Sequence, residues 1–450
     1  MEKREFIRRR RRLADIVDGM GVAIIPAAPV RVRNRDVEYS YRPDSDFMYL
    51  TGFPEPDAVA VLVPERKAGE YLLFCRERNA EQELWHGRRA GLEGACEIYG
   101  ADDAFPIDDL DDILPGLLEN RKRLYYSMGG NAKFDQRVLS WVNQVRGRAR
   151  AGVSAPTEII DTAHIVHEMR LFKSPAELAA MRRAGQISAA AHRRAMQHCK
   201  PGIKEYQLEA EILHEFMRSG CRSPAYPSIV GGGANACILH YTANGDALKD
   251  GDLVLIDAGG EYEGYAADIT RTFPVGGRYS PAQREIYEVV LEAQLAAIAQ
   301  IKPGNHWNDP HSASVKAITK GLISLGILKG RLPKLIKDEA YKPYFMHRTG
   351  HWLGMDVHDV GDYKIGTEWR LLEPGMTLTV EPGLYLPAHS KRLPKRYWDI
   401  GIRIEDDVLV TKEGHEVMTI AAPKRVDEIE ALMAAGASTK PIAKAYARAA

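Results

Sequence analysis

The chain has 450 residues, with 61 Lys and Arg against 61 Asp and Glu, so its formal net charge at pH 7 is zero. A balanced charge gives no overall field that would favour nucleic acid or an anionic membrane, and no stretch is long and apolar enough to span a bilayer. At this length two domains are expected. The five cysteines form no Cys-x-x-Cys pair, which is typical of reduced thiols in a cytoplasmic protein.

The first predicted element is a helix from about residue 5 to residue 18 that contains five consecutive arginines, Arg8 to Arg12. Asp15 and Asp18 interrupt the apolar stretch that a signal peptide would need after such a run. We interpret the arginines as the solvated face of this helix. The alternative is a contact with an acidic partner.

The segments that follow alternate in type, with strands predicted at 22–26, 58–63 and 71–75 and helices at 108–120 and 134–145. This βαβ rhythm predicts a small α/β domain that ends near residue 165. We therefore divide the chain into an N-terminal α/β domain, residues 1–170, and a second domain, residues 171–450.

The second domain begins with a helix start signal. Ser174 is followed by a proline and, at the third helical position, by Glu177, and Ser280 repeats the device with Gln283. Apolar residues of helical period follow each serine. Strand-like runs at 253–257, 267–273, 377–380 and 401–410 complete a pattern of helices that cover a largely antiparallel, curved sheet. The Ala- and Lys-rich tail from about residue 435 is predicted as a terminal helix or frayed end.

Two aspartates flank a predicted hairpin. Asp257 ends one strand-like run, Asp268 lies at the start of the next, and three glycines stand between them. With the turn centred on Tyr262 and Glu263, the two aspartates fall opposite each other, with β-carbons about 4.5–5.5 Å apart. Carboxylates so close repel strongly unless a cation lies between them. The alternative is two aspartates in solvent beside a turn.

A glycine-punctuated segment, residues 346–358, carries three histidines: His347, His351 and His358. A lone histidine is more often packed or hydrogen-bonded than bound to a metal, but glycines allow the backbone to run close to a ligand. The segment lacks the His-Glu-x-x-His pattern of a zinc peptidase.

Two further carboxylates complete the set. Glu381 follows the apolar run 376–380, and a carboxylate at the end of a buried strand needs a partner. Glu405 alternates with Arg403 and Asp407 along one strand face, with a simple surface ion pair of Arg403 and Glu405 as the alternative. The candidate metal ligands are then Asp257, Asp268, His351, Glu381 and Glu405.

Four carboxylates and one imidazole form a hard, oxygen-rich set, which suits two divalent cations, manganese before others, better than one zinc. Two metals about 3.5–4 Å apart convert a bridging water into hydroxide and polarise a carbonyl. The residues therefore predict a metallohydrolase, provided that they converge.

Together these segments resemble the pita-bread metallopeptidases and, within them, the Xaa-Pro aminopeptidase (aminopeptidase P) family. The resemblance extends from about residue 5 to about residue 432, with a small departure at Arg348-Thr349-Gly350. The matching stretches are 41–53, 168–175, 229–241, 252–259, 265–274, 351–359, 380–385 and 401–406.

The resemblance implies a dinuclear site, most often manganese. Asp257 would chelate one metal, His351 and Glu381 the other, and Asp268 and Glu405 would bridge both. A hydroxide between the metals would attack the carbonyl that precedes proline, and Glu381 would help to handle the proton of that water.

The resemblance also assigns substrate contacts. His240 and His358 would orient the scissile carbonyl and stabilise charge in the tetrahedral state. Arg403 would lie in the pocket on the proline side, with Tyr385 as part of its wall, and His347 is a weaker candidate beside the ligands.

The implied substrates are peptides with proline at position 2, and the implied assembly is a homo-oligomer, tetramer or dimer, with Trp85 and the N-terminal domain near the cleft. The nearest rival is an Xaa-Pro dipeptidase of the same fold. A non-catalytic pita-bread module that binds peptides or proteins, or a metal-free creatinase-like hydrolase, would have lost ligands that are all present here. A methionine aminopeptidase would fit the ligands but not the additional N-terminal domain.

Overall fold

The computed structural model describes residues 1–390 and 393–438, and most of the predicted terminal helix or frayed end from about residue 435 lies outside these residues. The chain forms two compact units, which meet in sequence between Arg170 and Leu171. Among the described residues, no helix combines the length and the apolar character that crossing a membrane requires. All five cysteines are free.

The first unit is built on a six-stranded mixed sheet of order β6-β5-β4-β1-β7-β8, in which β1 runs parallel to β7 and antiparallel to β4. This confirms the predicted α/β character. Its strands are β1 (Gly21–Pro26), β2 (Val32–Asn34), β3 (Val37–Glu38), β4 (Val59–Leu62), β5 (Tyr71–Cys75), β6 (Asp103–Pro106), β7 (Arg123–Tyr125) and β8 (Glu158–Ile160). Its helices are α1 (Lys3–Val17), α2 (Ser45–Thr51), α3 (Ala80–His86), α4 (Gly91–Glu97), α5 (Leu110–Leu118), α6 (Ala132–Gly147) and α7 (Ala163–Leu171).

The arginine run of α1 is not a uniformly solvated face, and that interpretation is wrong for two of its five members. Arg9 and Arg10 are 2% and 5% exposed, while the other three arginines are exposed. The Arg9 guanidinium lies 4.0 Å from the Tyr49 ring and donates to the Tyr49 carbonyl, and Arg10 lies 4.0 Å from the Tyr71 ring. Since consecutive helix residues point about 100° apart, five in a row must reach both faces of the helix.

The second unit is all antiparallel in its strand pairing, with three-stranded sheets β10-β11-β14, β17-β20-β21 and β13-β12-β9 and a β18-β19 pair. Its strands are β9 (Ser223–Pro224), β10 (Ile229–Gly232), β11 (Leu253–Asp257), β12 (Gly260–Tyr262), β13 (Tyr265–Ala266), β14 (Thr270–Pro274), β15 (Lys364–Ile365), β16 (Glu368–Trp369), β17 (Thr377–Val380), β18 (Gly383–Leu386), β19 (Ile400–Arg403), β20 (Asp406–Val410) and β21 (His415–Val417). Its helices are α8 (Pro175–His198), α9 (Glu205–Arg218), α10 (Pro281–Ile298), α11 (Asp309–Ser324), α12 (Leu332–Lys337) and α13 (Val426–Ser438).

Both predicted helix starts are capping boxes in the structure. The Ser174 hydroxyl accepts from the Glu177 N–H at the start of α8, and the Ser280 hydroxyl accepts from the Gln283 N–H at the start of α10. The apolar faces of α8, α9, α10 and α11 pack on β10, β11 and β14 in one continuous core. The predicted α+β organisation of this unit is therefore confirmed, with helices packed against one face of its strands.

The hairpin register differs from the predicted one. Asp257 pairs with Thr270, not with Asp268, because the two-residue turn is Glu263-Gly264. These residues have φ of 50° and 81°, the left-handed backbone that a two-residue hairpin turn requires and that glycine adopts without strain. Asp268 is therefore diagonal to Asp257 on the same face, two residues from Thr270.

The predicted strand 401–410 is interrupted at its centre. β19 ends at Arg403 and β20 begins at Asp406, so Ile404 and Glu405 lie between the two strands. Arg403 and Glu405 are only 3% and 2% exposed, which excludes the alternative of a surface ion pair. The interruption allows Glu405 to leave the ladder at the point where β18, β19 and β20 converge.

Candidate metal centre

All five predicted ligands line one cavity of about 1040 Å³ in the second unit. Each lies at or near the end of a strand. Asp257 is the last residue of β11, Asp268 lies in the segment before β14, His351 lies in the loop that contacts β17, Glu381 follows β17 and Glu405 lies in the break between β19 and β20. Segments that are far apart in sequence thus converge because their strands end at the same place.

The donor atoms lie within a few ångströms of one another. Asp268, His351 and Glu405 each offer one ligand atom, and these atoms all lie within 4.8 Å of each other. His351 Nε2 is 3.4 Å from a carboxylate oxygen of Asp268 and 3.7 Å from one of Glu381. The Nδ1 of His351 lies 2.9 Å from the Trp352 carbonyl, so that donation from Nδ1–H leaves Nε2 free for a metal.

A partly buried tyrosine that the sequence did not single out joins two of the ligands. The Tyr226 hydroxyl is 2.6 Å from Asp257 Oδ1 and 2.5 Å from Asp268 Oδ1. Burial and these two carboxylates raise the pKa of Tyr226 well above its usual value. One hydroxyl hydrogen cannot serve both oxygens, so a proton on one carboxylate or a cation near them is needed. Nothing in its local pattern distinguishes Tyr226 from an ordinary core tyrosine.

Burial and mutual repulsion strongly disfavour the simultaneous ionisation of all four carboxyl groups. Burial, followed by repulsion from Glu405, raises the pKa of Glu381 to about 8. Burial and a neighbouring carboxylate likewise raise the pKa values of Asp268 and Glu405 well above their usual range. Burial also opposes ionisation of Asp257, but the Arg403 guanidinium and hydrogen bonds, including that from Tyr226, together outweigh it and lower the pKa of that carboxyl. This set of oxygen donors with one imidazole fits divalent cations, which would compensate the remaining negative charge.

Arg403 is fixed at the floor of the cavity. Its guanidinium donates to Asp257 Oδ2 at 2.6 Å, to the Thr270 hydroxyl at 3.1 Å and to the Tyr385 hydroxyl at 2.9 Å. The Tyr385 hydroxyl lies 2.9 Å from His347 Nε2, and burial and Arg403 lower the pKa of His347 to about 4. The predicted pocket residues Arg403, Tyr385 and His347 therefore form one hydrogen-bonded chain that ends at Asp257.

The two predicted catalytic histidines line the same cavity. The His358 ring lies 4.4 Å from the His351 ring and is nearly perpendicular to it. Burial, and then His351, lower the pKa of His358, so its neutral form predominates at neutral pH. His240 is an exposed lining residue. Trp85 lies on α3 of the first unit and is 75% exposed, and its place beside the cleft stays a prediction.

Comparisons with known proteins identify the family of the chain. The model of metallopeptidase family M24 matches residues 179–412, and that of the aminopeptidase P N-terminal domain matches residues 6–125. The chain is 48% identical to the Xaa-Pro aminopeptidase of Escherichia coli over 436 residues, 97% of this chain and 98% of the relative. The structure of Pseudomonas aeruginosa aminopeptidase PepP superposes with a TM-score of 0.96 at 57% identity, over 97% of this chain and 99% of that one. Zinc-substituted E. coli aminopeptidase P with product gives a TM-score of 0.94 at 48% identity, over 97% and 99%.

Proposed function

The chain belongs to metallopeptidase family M24 and has its pita-bread fold, and from that premise we propose that it is an aminopeptidase that releases the N-terminal residue from peptides with proline at position 2. The observation that carries the proposal is the convergence of four carboxylates and one imidazole in one cavity. The proposed bond specificity is supported by the relatives that are named Xaa-Pro aminopeptidase.

We propose that Asp257 holds one divalent cation, that His351 and Glu381 hold a second, and that Asp268 and Glu405 bridge the two. The oxygen-rich donor set favours manganese. When bound, such a pair supplies a water of lowered pKa and a positive charge that polarises the substrate carbonyl. Glu381, whose pKa lies near 8 before metal binding, is the carboxylate suited to take up and return the proton of that water.

The remaining roles follow from the chemistry of the Xaa-Pro bond. Its nitrogen carries no hydrogen, and the proline ring prevents the extended binding that ordinary peptidases use, so a dedicated pocket is needed. His358, in its neutral form, and His240 would each offer an N–H to the carbonyl oxygen as it becomes negative. One of the two histidines would also pass to the leaving nitrogen the proton that Glu381 takes from the water.

Arg403 and Tyr385 would form the base of the pocket for the proline side, with His347 behind them. The chain of hydrogen bonds from Asp257 through Arg403 to Tyr385 and His347 supports this role, because it holds the guanidinium in one position. We also propose a homo-oligomer, tetramer or dimer, in which Trp85 approaches a substrate cleft.

A panel of proline peptides tests the proposal. We expect release of the first residue from Ala-Pro-Ala and longer Xaa-Pro peptides, with little cleavage of Ala-Pro and none of Ala-Ala-Ala. A cavity of about 1040 Å³ is at the upper end of the usual range for ligand pockets and accommodates more than a dipeptide. Cleavage of dipeptides only would identify a prolidase, and binding without cleavage would identify a peptide-binding module.

Replacing His358 with alanine is expected to lower kcat by roughly 10²-fold, the usual effect of losing one donor to a developing oxyanion. Manganese content, measured by mass spectrometry of the purified protein, should stay at the wild-type value. His214→Ala, at an exposed position of α9, is the matched control and should leave both quantities unchanged. A His358→Ala variant that loses its metal would instead make this histidine a ligand.

A further inference from the structure

A fully buried guanidinium lies directly behind the proposed metal ligands. Arg271, on β14, is three residues beyond Asp268 in sequence and is 0% exposed. A guanidinium has five N–H donors, and each of these has an acceptor at 2.5–3.0 Å. The acceptors are the carbonyls of Thr270, Glu405, Ala422 and Pro423 and Oδ1 of Asp406.

The carboxylate of Asp406 is saturated in the same way. Its Oδ1 accepts from Arg271 at 2.7 Å and from the Thr419 hydroxyl at 2.8 Å. Its Oδ2 accepts from Gln294 at 2.7 Å and from Lys424 at 2.6 Å. Four donors occupy the four acceptor positions of a carboxylate, so the pair of Arg271 and Asp406 forms a rigid, fully satisfied polar cluster.

Arg271 ties together the two segments that bear the proposed bridging ligands. By donating to the carbonyls of Thr270 and Glu405, it joins the strand that follows Asp268 to the break that contains Glu405. The Glu405 N–H also donates to the Thr270 carbonyl at 3.1 Å, and the Thr270 hydroxyl donates to a carboxylate oxygen of Glu405 at 2.7 Å. The backbone on both sides of the metal centre is therefore held at a fixed separation.

A second path leads from the cluster to Asp268. The Asp268 N–H lies 3.2 Å from both carboxylate oxygens of Asp407. The Asp407 N–H donates to the Thr419 hydroxyl oxygen at 3.1 Å, and that hydroxyl donates to Asp406. Asp268 and Glu405 are thus both connected to one cluster, although neither side chain is hydrogen-bonded to Arg271.

We propose that Arg271 and Asp406 are positioning residues that hold the Asp268 and Glu405 carboxylates at the separation needed to share two cations. The proposal rests on the proposed metal roles of those carboxylates. Both carboxylates must be ionised to hold the cations, and their like charges then push the two segments apart, a movement that the cluster opposes. A site held in its binding geometry loses less free energy when it binds the metal, so the cluster raises metal affinity.

Two substitutions at opposite sides of Asp406 test this. Arg271→Lys keeps a positive charge beside Asp406, but an ammonium has three donors and cannot replace the planar fork that reaches both backbone carbonyls. Lys424→Met removes the other cation from Asp406 and leaves every contact of Arg271 in place. Each variant weakens one ion pair of Asp406 and so loses stability in a similar way. They differ mainly in the hydrogen bonds to the Thr270 and Glu405 carbonyls, which only Arg271→Lys disturbs.

The measurement is titration of the metal-free, full-length variants with Mn²⁺ by calorimetry, together with the Tm of the metal-free proteins. We expect Arg271→Lys to weaken Mn²⁺ binding by roughly 10- to 100-fold, the range found for residues that orient metal ligands, and Lys424→Met to weaken it less than about threefold. The electron paramagnetic resonance spectrum with two equivalents of Mn²⁺ should show a coupled pair in wild type and Lys424→Met and isolated ions in Arg271→Lys.

Unchanged Mn²⁺ affinity in Arg271→Lys, or equal weakening in both variants, would overturn the positioning role. Thr419→Val, which breaks only the path from Asp406 to Asp407, gives the same test if Arg271→Lys does not fold, with a smaller expected loss of affinity. Asp268→Asn distinguishes failure of the proposed ligand roles from failure of the positioning role. If Asp268→Asn binds Mn²⁺ like wild type, the proposed ligand roles fail, whereas weak binding in Asp268→Asn with normal binding in Arg271→Lys rejects the positioning role alone.

Discussion

Replacing Asp268 with asparagine, or Glu405 with glutamine, is expected to reduce the turnover of Ala-Pro-Ala by at least about 10³-fold. The proposed bridging carboxylates each contribute to both cations, so one substitution disturbs the whole pair. Charge stabilisation by such a metal site amounts to several kcal/mol, and about 4 kcal/mol corresponds to 10³-fold in rate. The carboxamides of asparagine and glutamine keep the size of the side chain, but they cannot bridge two cations as a carboxylate does.

Initial rates at saturating peptide, with Mn²⁺ bound to each variant measured in parallel, check this expectation. Asp250→Asn in the exposed loop before β11 and Glu413→Gln in the exposed turn between β20 and β21 are matched controls, and both should retain wild-type rates. Retained activity in Asp268→Asn or in Glu405→Gln would show that the ligand assignment is wrong, whatever the fold of the chain.

The parts of the fold that were predictable are those set by local sequence. Ser174 and Ser280 each start a helix because a serine, a proline and a glutamate or glutamine at fixed spacing satisfy the first N–H groups. The runs that became β11 and β17 are short and apolar, and they are bounded by residues that end a strand. The candidate ligands Asp257 and Glu381 lie at the ends of these strands. The same segments therefore predicted both the strands and part of the candidate site.

The parts that failed depend on where the chain adopts an unusual backbone. The position of the hairpin turn was wrong by one residue because Gly264, not Glu263, takes the second left-handed position. That shift changes the partner of Asp257 from Asp268 to Thr270 while leaving both aspartates on one face. Side chains alternate between the two faces of a strand, so a register shift of two residues keeps each side chain on its face. Asp257 and Asp268 therefore remain on one face although their predicted pairing was incorrect.

Other residues carry no local signal at all. Tyr226, Arg271 and Asp406 acquire their roles only through contacts with segments that are distant in sequence. Periodicity cannot distinguish a buried arginine with five acceptors from one that lies in solvent, and the same limit explains the error at Arg9 and Arg10. For polar residues in a core, hydrogen-bond partners rather than pattern decide whether burial is tolerated.

The metal-free protein is expected to become less stable as the pH rises from 6.5 to 8. The pKa of Glu381 is raised from 4.5 to about 8 in the folded state, so in this window the folded protein keeps a proton that the unfolded chain has released, and the free energy of unfolding falls with pH. The raised pKa values of Asp268 and Glu405 act in the same direction. One proton over this window corresponds to about 2 kcal/mol.

The lower limit of the window follows from the buried histidines. Burial lowers the pKa values of His192, His311 and His347 from 6.5 to about 4. These groups raise stability as the pH rises through 6.5, where the unfolded imidazoles are still half protonated, and their contribution is nearly complete at about pH 7.5. The two effects therefore oppose each other up to about pH 7.5, and above pH 6.5 the combined effect of the three carboxylates outweighs the remaining effect of the histidines.

Calorimetric Tm values at several pH values between 6.5 and 8, for metal-free and Mn²⁺-loaded protein, measure the effect. With the metal bound the carboxylates are already ionised and the downward slope should disappear, so the gain in Tm on adding Mn²⁺ grows with pH by several degrees. Glu381→Gln should flatten the slope of the metal-free protein, and Glu413→Gln should not. A metal-free Tm that rises across the window would mean that the carboxylates are not held as close together as the structure places them, and the electrostatic argument for two cations would lose its basis.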